Sequence, residues 1–147
     1  MAIAHTGAVI VVTGATGHVG GLVARELARQ GRPMRLAAHT PSRVPDIDGA
    51  EVVPADYGDP TSLADALQEG DRVFMVSMHQ GPDERLRLHR SFVETAIRQR
   101  VAHIVYLSFL AAGPDAVFLH ARSRSDRADA PRLGAAVDVH PERYVRG

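Results

Sequence analysis

The sequence predicts an α/β fold, a doubly wound parallel sheet of five strands that is incomplete at the C-terminus. Three observations carry this. Short apolar runs of strand length alternate with amphipathic stretches of helix length; Gly, Pro and Asp punctuate the joins; and the first run leads into a glycine-rich turn that opens a helix. Strands that alternate with helices imply parallel pairing through right-handed crossovers.

The elements follow in order. Ala8–Val12 is a continuous apolar run, as in a central strand covered on both faces. Val19, Leu22, Val23, Leu27 and Ala28 then recur at helical spacing; Gly31 stands at the C-terminal cap and Pro33 blocks continuation. Met34–Ala38 reads as the second strand and Glu51–Val53 as a short third. Asp59 followed by Pro60 is a capped helix start, and that helix should run to about Glu69 before Gly70. Arg72–Val76 is the fourth strand. A long helix from Pro82 to Arg100 should bury Leu88, Phe92, Val93, Ala96 and Ile97, and His103–Leu107 is the fifth strand. Beyond Ala121 the chain is rich in Arg, Asp, Ala and Ser, and only Ala135–Val139 has strand character, so an irregular tail is expected.

Composition narrows the function. The chain has 147 residues, 45% of them hydrophobic, which suffices for one domain with a sizeable core. Formal net charge is zero, which argues against nucleic acid or an anionic membrane as the main partner. Arg85, Arg87, Arg90, Arg98 and Arg100 fall in one helical stretch and read as a solvated face. Cysteine is absent, so disulfides and thiol catalysis are excluded, and a cytoplasmic location is expected. No run reaches the ~18 apolar residues of a transmembrane helix. All 17 basic residues are arginine, so lysine has no catalytic role. The eight histidines form no H-x-x-x-H pair, and no metal site is expected.

The segment Gly14-Ala15-Thr16-Gly17-His18-Val19-Gly20 carries the chemistry. Its G-x-x-G-x-x-G spacing sits between a buried strand and an amphipathic helix, the context of a Rossmann-type dinucleotide site. Gly14 permits the tight turn, Gly17 lets backbone approach a diphosphate, and Gly20 lets the helix pack on the strand. Free amides and the dipole at the helix start favour a dianion, so NADP or NAD is the implied ligand. The end of the second strand bears on the choice. An acid for the ribose hydroxyls is expected there in an NAD site, yet the stretch Ala37-Ala38-His39-Thr40-Pro41-Ser42-Arg43 has none. His39 and Arg43 either meet a 2′-phosphate, which favours NADP, or are ordinary loop residues. Asp56-Tyr57 follows the third strand, where an acid either bonds an adenine amino group or forms a turn. Ser77 and Met78 end the fourth strand, and Ser108 the fifth, at the edge where open α/β sheets bind ligands. Ser108 either polarises a carbonyl or caps the next segment.

The stretches VTGATGHVGGLVARELARQG, VVPADYGDPTSLADAL, VFMVSMHQG and HIVYLSFLAAGPDAVF together resemble the atypical short-chain dehydrogenase/reductases, in the NmrA-like and quinone-oxidoreductase-like branch. The resemblance covers about Val9 to Arg122. It implies that Gly14, Thr16, Gly17, His18, Val19 and Gly20 form the diphosphate loop. His39 and Arg43 would lie near the adenine and 2′-phosphate, Asp56 and Tyr57 would flank the adenine, and Ser77 and Met78 would line the ribose and nicotinamide end. It implies NADPH-dependent reduction of a quinone or small carbonyl.

Two departures from that family stand out. Short-chain enzymes that protonate a carbonyl use a Y-x-x-x-K pair, whereas Phe118-Leu119-His120-Ala121-Arg122 occupies that slot, and a phenyl ring donates no proton. A non-catalytic redox sensor is therefore the alternative. Secondly, the resemblance stops near Arg122. Residues 1–122 are expected to form the NAD(P)-binding domain and 123–147 an irregular tail, with the relatives' substrate lobe absent, as out-of-frame coding sequence or another truncation would leave it. An inactive remnant with an exposed sheet edge, weakly stable and prone to self-association, is the third reading.

Overall fold

The computed structural model describes residues 6–78, 80–107 and 136–139. Six strands form one sheet in the order β3-β2-β1-β4-β5-β6: β1 Ile10–Thr13, β2 Met34–Ala38, β3 Ala50–Pro54, β4 Arg72–Val76, β5 His103–Leu107 and β6 Ala136–Val139. The first five pair in parallel, as expected. The sixth falls within Ala135–Val139, the one stretch of the tail with strand character. Its backbone runs antiparallel to β5, with Val105 opposite Asp138 and Tyr106 opposite Val137. Pairing there occupies the amide and carbonyl groups that β5 would otherwise leave bare at an edge.

Helix α1 (His18–Arg29) covers one face of the sheet; α2 (Pro60–Ala66) and α3 (Pro82–Arg98) cover the other. Alternation along each strand feeds two cores. Val12, Met34 and Leu36 pack with Ala24 on the α1 side, and Val11, Val73, Met75 and Ile104 pack with Leu63, Phe92 and Ala96 on the other. Each fully buried Leu, Met or Phe among them contributes roughly 1.5–3 kcal/mol.

Three details depart from the sequence pattern. Helix α1 buries Gly20, Gly21 and Ala24, while Val19 and Leu22 are exposed. The small residues let its backbone sit down on β1, and that rotation carries the two aliphatic side chains outward. Helix α2 ends at Ala66 rather than near Glu69. The reason is Asp71, whose Oδ2 accepts the Gln68 amide at 2.8 Å and pulls the chain out of the helix. Helix α3 buries Leu88, Phe92, Val93 and Ala96 as expected, but also Arg85 and His89. Arg85 therefore does not belong to the solvated arginine face, whereas Arg87, Arg90, Arg98 and Arg100 do.

A buried ionic cluster at the N-terminal edge of the sheet escaped the sequence reading. Arg35, 1% exposed, donates from Nη1 to Asp71 Oδ2 at 2.9 Å and to the Ala66 carbonyl at 3.2 Å, and from Nε to Glu51 at 3.3 Å. Asp71 Oδ1 accepts the Val9 amide at 2.9 Å. One carboxylate thus ties β2 to the segments that lead into β1 and β4.

Candidate dinucleotide site

The strand order reverses between β1 and β4, and the cleft opens there, at the carboxyl ends of the strands. It encloses ≈ 330 Å³ and is lined by Gly14, Thr16, His39, Arg43, Asp56, Tyr57, Ser77 and Met78, together with Thr13, Ala37, Ala38, Thr40, Ala55 and Val76. Eight of the residues singled out from the sequence therefore meet in one place. The other four, Gly17, His18, Val19 and Gly20, form the cap and first turn of α1 beside it.

The turn is shaped by its glycines. Gly14 has φ +67°, and a Cβ there would lie 3.0 Å from the Val76 Cβ. A Cβ on Gly20 would meet backbone, overlapping the Gly14 carbonyl and standing 2.9 Å from the Thr13 oxygen. Gly17 caps α1 in extended conformation with no side-chain hydrogen bond, and the first turn holds no acid. The other helices differ. Asp59 accepts the Thr61 amide at the start of α2, and Asp83 and Glu84 occupy the first turn of α3. Among the described α-helices, α1 alone offers an anion an uncapped, acid-free N-terminus.

On the β2 side, His39 and Arg43 are exposed, and Arg43 closes the single 3-10 turn Pro41–Arg43. Arg43 has no ion pair among the described residues, whereas His39 Nε2 lies 3.4 Å from Asp56 Oδ2. Asp56 also shapes its own loop, because its Oδ1 accepts the Gly58 amide at 2.7 Å.

Tyr57 is a wall rather than a free face. Its ring is buried against Phe92 at 4.8 Å between centroids, and its hydroxyl donates to Thr13 Oγ1 at 2.8 Å. Thr13 Oγ1 also accepts the Val76 amide at 2.8 Å. The β1–β4 register ends at Val12–Phe74, so this side chain takes over where the ladder stops. Thr13 was not singled out in the sequence, since a threonine at a strand end carries no motif. Ser77 lies beyond Val76 in the lining of the cleft, buried, with its Oγ free of hydrogen bonds among the described residues. Ser108 and Phe118 lie outside the described residues.

A cradle that any Cβ would fill, an uncapped helix start and an orphaned buried hydroxyl on one sheet edge define a dinucleotide-binding α/β domain. The chain belongs to the NAD(P)H-binding family, which matches residues 14–138 and so runs past Arg122, where the resemblance read from the motifs ends. It is 40% identical over 122 residues to a (4-alkanoyl-5-oxo-2,5-dihydrofuran-3-yl)methyl phosphate reductase of Streptomyces griseus, covering 80% of this chain and 41% of the relative. It is 31% identical over 107 residues to quinone oxidoreductase 2 of Escherichia coli, covering 70% and 37%. Among solved structures, Citrobacter sp. triphenylmethane reductase complexed with NADP(H) matches with a TM-score of 0.67 and 26% identity, over 78% of this chain and 42% of that one. The E. coli NADPH-dependent quinone oxidoreductase complexed with NADPH matches with a TM-score of 0.62 and 30% identity, over 70% and 38%. The chain spans about two fifths of the length of these relatives. Among the described residues, no helix is long and apolar enough to cross a membrane.

Proposed function

We propose that this chain is the cofactor-binding part of an NADPH-dependent reductase whose acceptor is a quinone or small carbonyl. The observation that carries the reading is one cleft that unites an uncapped helix start with a β2 end free of acids and an Arg43 that has no ion pair among the described residues. The first-turn amides of His18, Val19 and Gly20 receive the diphosphate, while the Gly17 amide holds the turn by donating to the Gly14 carbonyl at 2.9 Å. Arg43 and His39 meet the 2′-phosphate, Asp56 and Tyr57 bound the adenine, and Ser77 and Met78 face the ribose and nicotinamide. When bound, the nicotinamide supplies the hydride, and the protein's part is to orient it and exclude water. The names of the reductase relatives support the acceptor class.

Titration with NADPH and NADH tests this. NADPH should bind more tightly, and Arg43→Gln should reduce that preference by about tenfold, the scale of one charge-assisted hydrogen bond. Equal affinity for the two coenzymes would overturn the assignment. A non-catalytic NADP(H) sensor is the second reading, favoured by Phe118 in the slot of the proton-donating tyrosine. Tight NADPH binding without turnover of any acceptor would select it.

A further inference from the structure

Among the described residues, His89 is the most deeply buried imidazole, at 1% exposure, and no motif pointed to it. Its ring is held edge-on between Tyr57, 6.0 Å away between centroids, and Tyr106, 5.7 Å away. From α3 it reaches the loop after β4, where Nε2 accepts the Met78 amide at 3.2 Å. On the other side of Ser77, the Val76 amide is held by Thr13 Oγ1. Two side chains from different elements thus fix the amides that flank Ser77, beyond the last β1–β4 register pair. The Ser77 hydroxyl between them has no partner among the described residues.

We propose that His89 is a positioning residue for the nicotinamide half of the site, acting through the Met78 amide on the hydroxyl of Ser77. This rests on the cofactor reading above. To accept an amide proton, Nε2 must be the bare nitrogen of the ring, so the role needs an acceptor at that particular atom. Loss of that acceptor frees the Met78 amide, and the loop no longer holds Ser77 toward the ligand. Tyr57, which bounds the adenine, keeps its hydroxyl bonds to Thr13 and to the Val76 carbonyl, so the adenine half of the cleft, on the β2 side, retains its wall.

The test compares His89→Gln with His89→Asn in the full chain. A glutamine carbonyl reaches the place of Nε2, whereas an asparagine carbonyl stops short at the place of Nδ1. Affinity is measured for NADPH and for adenosine 2′,5′-bisphosphate, which carries only the adenine end. His89→Asn should weaken NADPH about tenfold, the size of one unmade hydrogen bond at a partly buried amide. His89→Gln should stay within about threefold of wild type, and the bisphosphate should bind all three proteins alike. Equal loss in both variants, a parallel loss of the bisphosphate, or failure of both variants to fold would make His89 a core residue only and overturn the proposal. So would an Asn variant indistinguishable from wild type. A wild-type chain that binds neither ligand would instead overturn the cofactor reading itself.

Discussion

The glycines of the turn separate into those the fold needs and those the ligand needs, and alanine substitution should distinguish them. At position 20 an added methyl overlaps the Gly14 carbonyl and lies 2.9 Å from the Thr13 oxygen, so it meets backbone that no rotamer change can move. Overpacking of that kind costs about 3 kcal/mol, the upper end of the usual range, because α1 must lift from β1. Gly→Ala inside a helix returns up to about 1 kcal/mol of propensity. The net expectation for Gly20→Ala is a loss of about 2 kcal/mol. Gly17 differs. Its φ of −94° suits any residue, and a methyl there would lie 3.3 Å from the Gly14 oxygen, a slight crowding. Gly17→Ala should therefore lose no more than about 1 kcal/mol of stability, the cost of alanine at a helix N-cap, yet lose NADPH affinity by an order of magnitude or more, since the methyl stands where the diphosphate approaches. Urea unfolding and cofactor titration on both variants read the two effects. A Gly20→Ala protein as stable as wild type, or more so, would refute the packing argument. Unchanged NADPH affinity in Gly17→Ala would refute the cradle.

Other outcomes are expected. Asp71→Asn leaves the buried Arg35 without its closest counter-charge and should cost about 3–5 kcal/mol in urea unfolding; a change under 1 kcal/mol would mean that Glu51 alone satisfies the guanidinium. Tyr57→Phe removes the hydroxyl that joins the β3–α2 loop to Thr13, and should cost about 1–2 kcal/mol with the fold retained; a neutral result would show that the brace is dispensable. Glu26 is held at about 2, down from its ordinary 4.5, by hydrogen bonds from Arg29 and Gln30. Because the folded value is the lower one, the stabilisation is complete above pH 4.5 and disappears as pH falls through about 2. A carboxyl resonance of Glu26 titrating near its ordinary value would contradict this. Full-length relatives aside, the chain itself should be assayed for NADPH oxidation with a panel of quinones, and turnover would exclude a purely sensing role.

Much of this was legible in the sequence because local chemistry and global topology agree. Ala8–Val12, Met34–Ala38, Arg72–Val76 and His103–Leu107 are largely apolar runs of strand length, and the structure puts β1, β2, β4 and β5 there to within two residues. The glycine spacing located the turn, and the strand ends located the cleft wall. What stayed hidden depends on residues distant in sequence. Arg35 lies inside an apolar strand, and nothing local shows that Asp71, on another segment, neutralises it. Helical periodicity marks Val19 and Leu22 as core, but the close approach permitted by Gly20 and Gly21 outweighs it. Thr13 and His89 act through hydrogen bonds to backbone 63 and 11 residues away, which no motif records. The strand character of Ala135–Val139 was legible, but its antiparallel pairing with β5 joins segments some thirty residues apart, which no local pattern records.

The central claim is that the amides at the start of α1 receive the cofactor's diphosphate. Amide nitrogen–proton spectra of the labelled chain, recorded as NADPH is added, test it directly. The largest shifts should fall on Thr16, Gly17, His18 and Val19, with smaller ones at Ser77 and near Arg43. Shifts confined to other surfaces, or spectra that do not change at saturating NADPH, would contradict it.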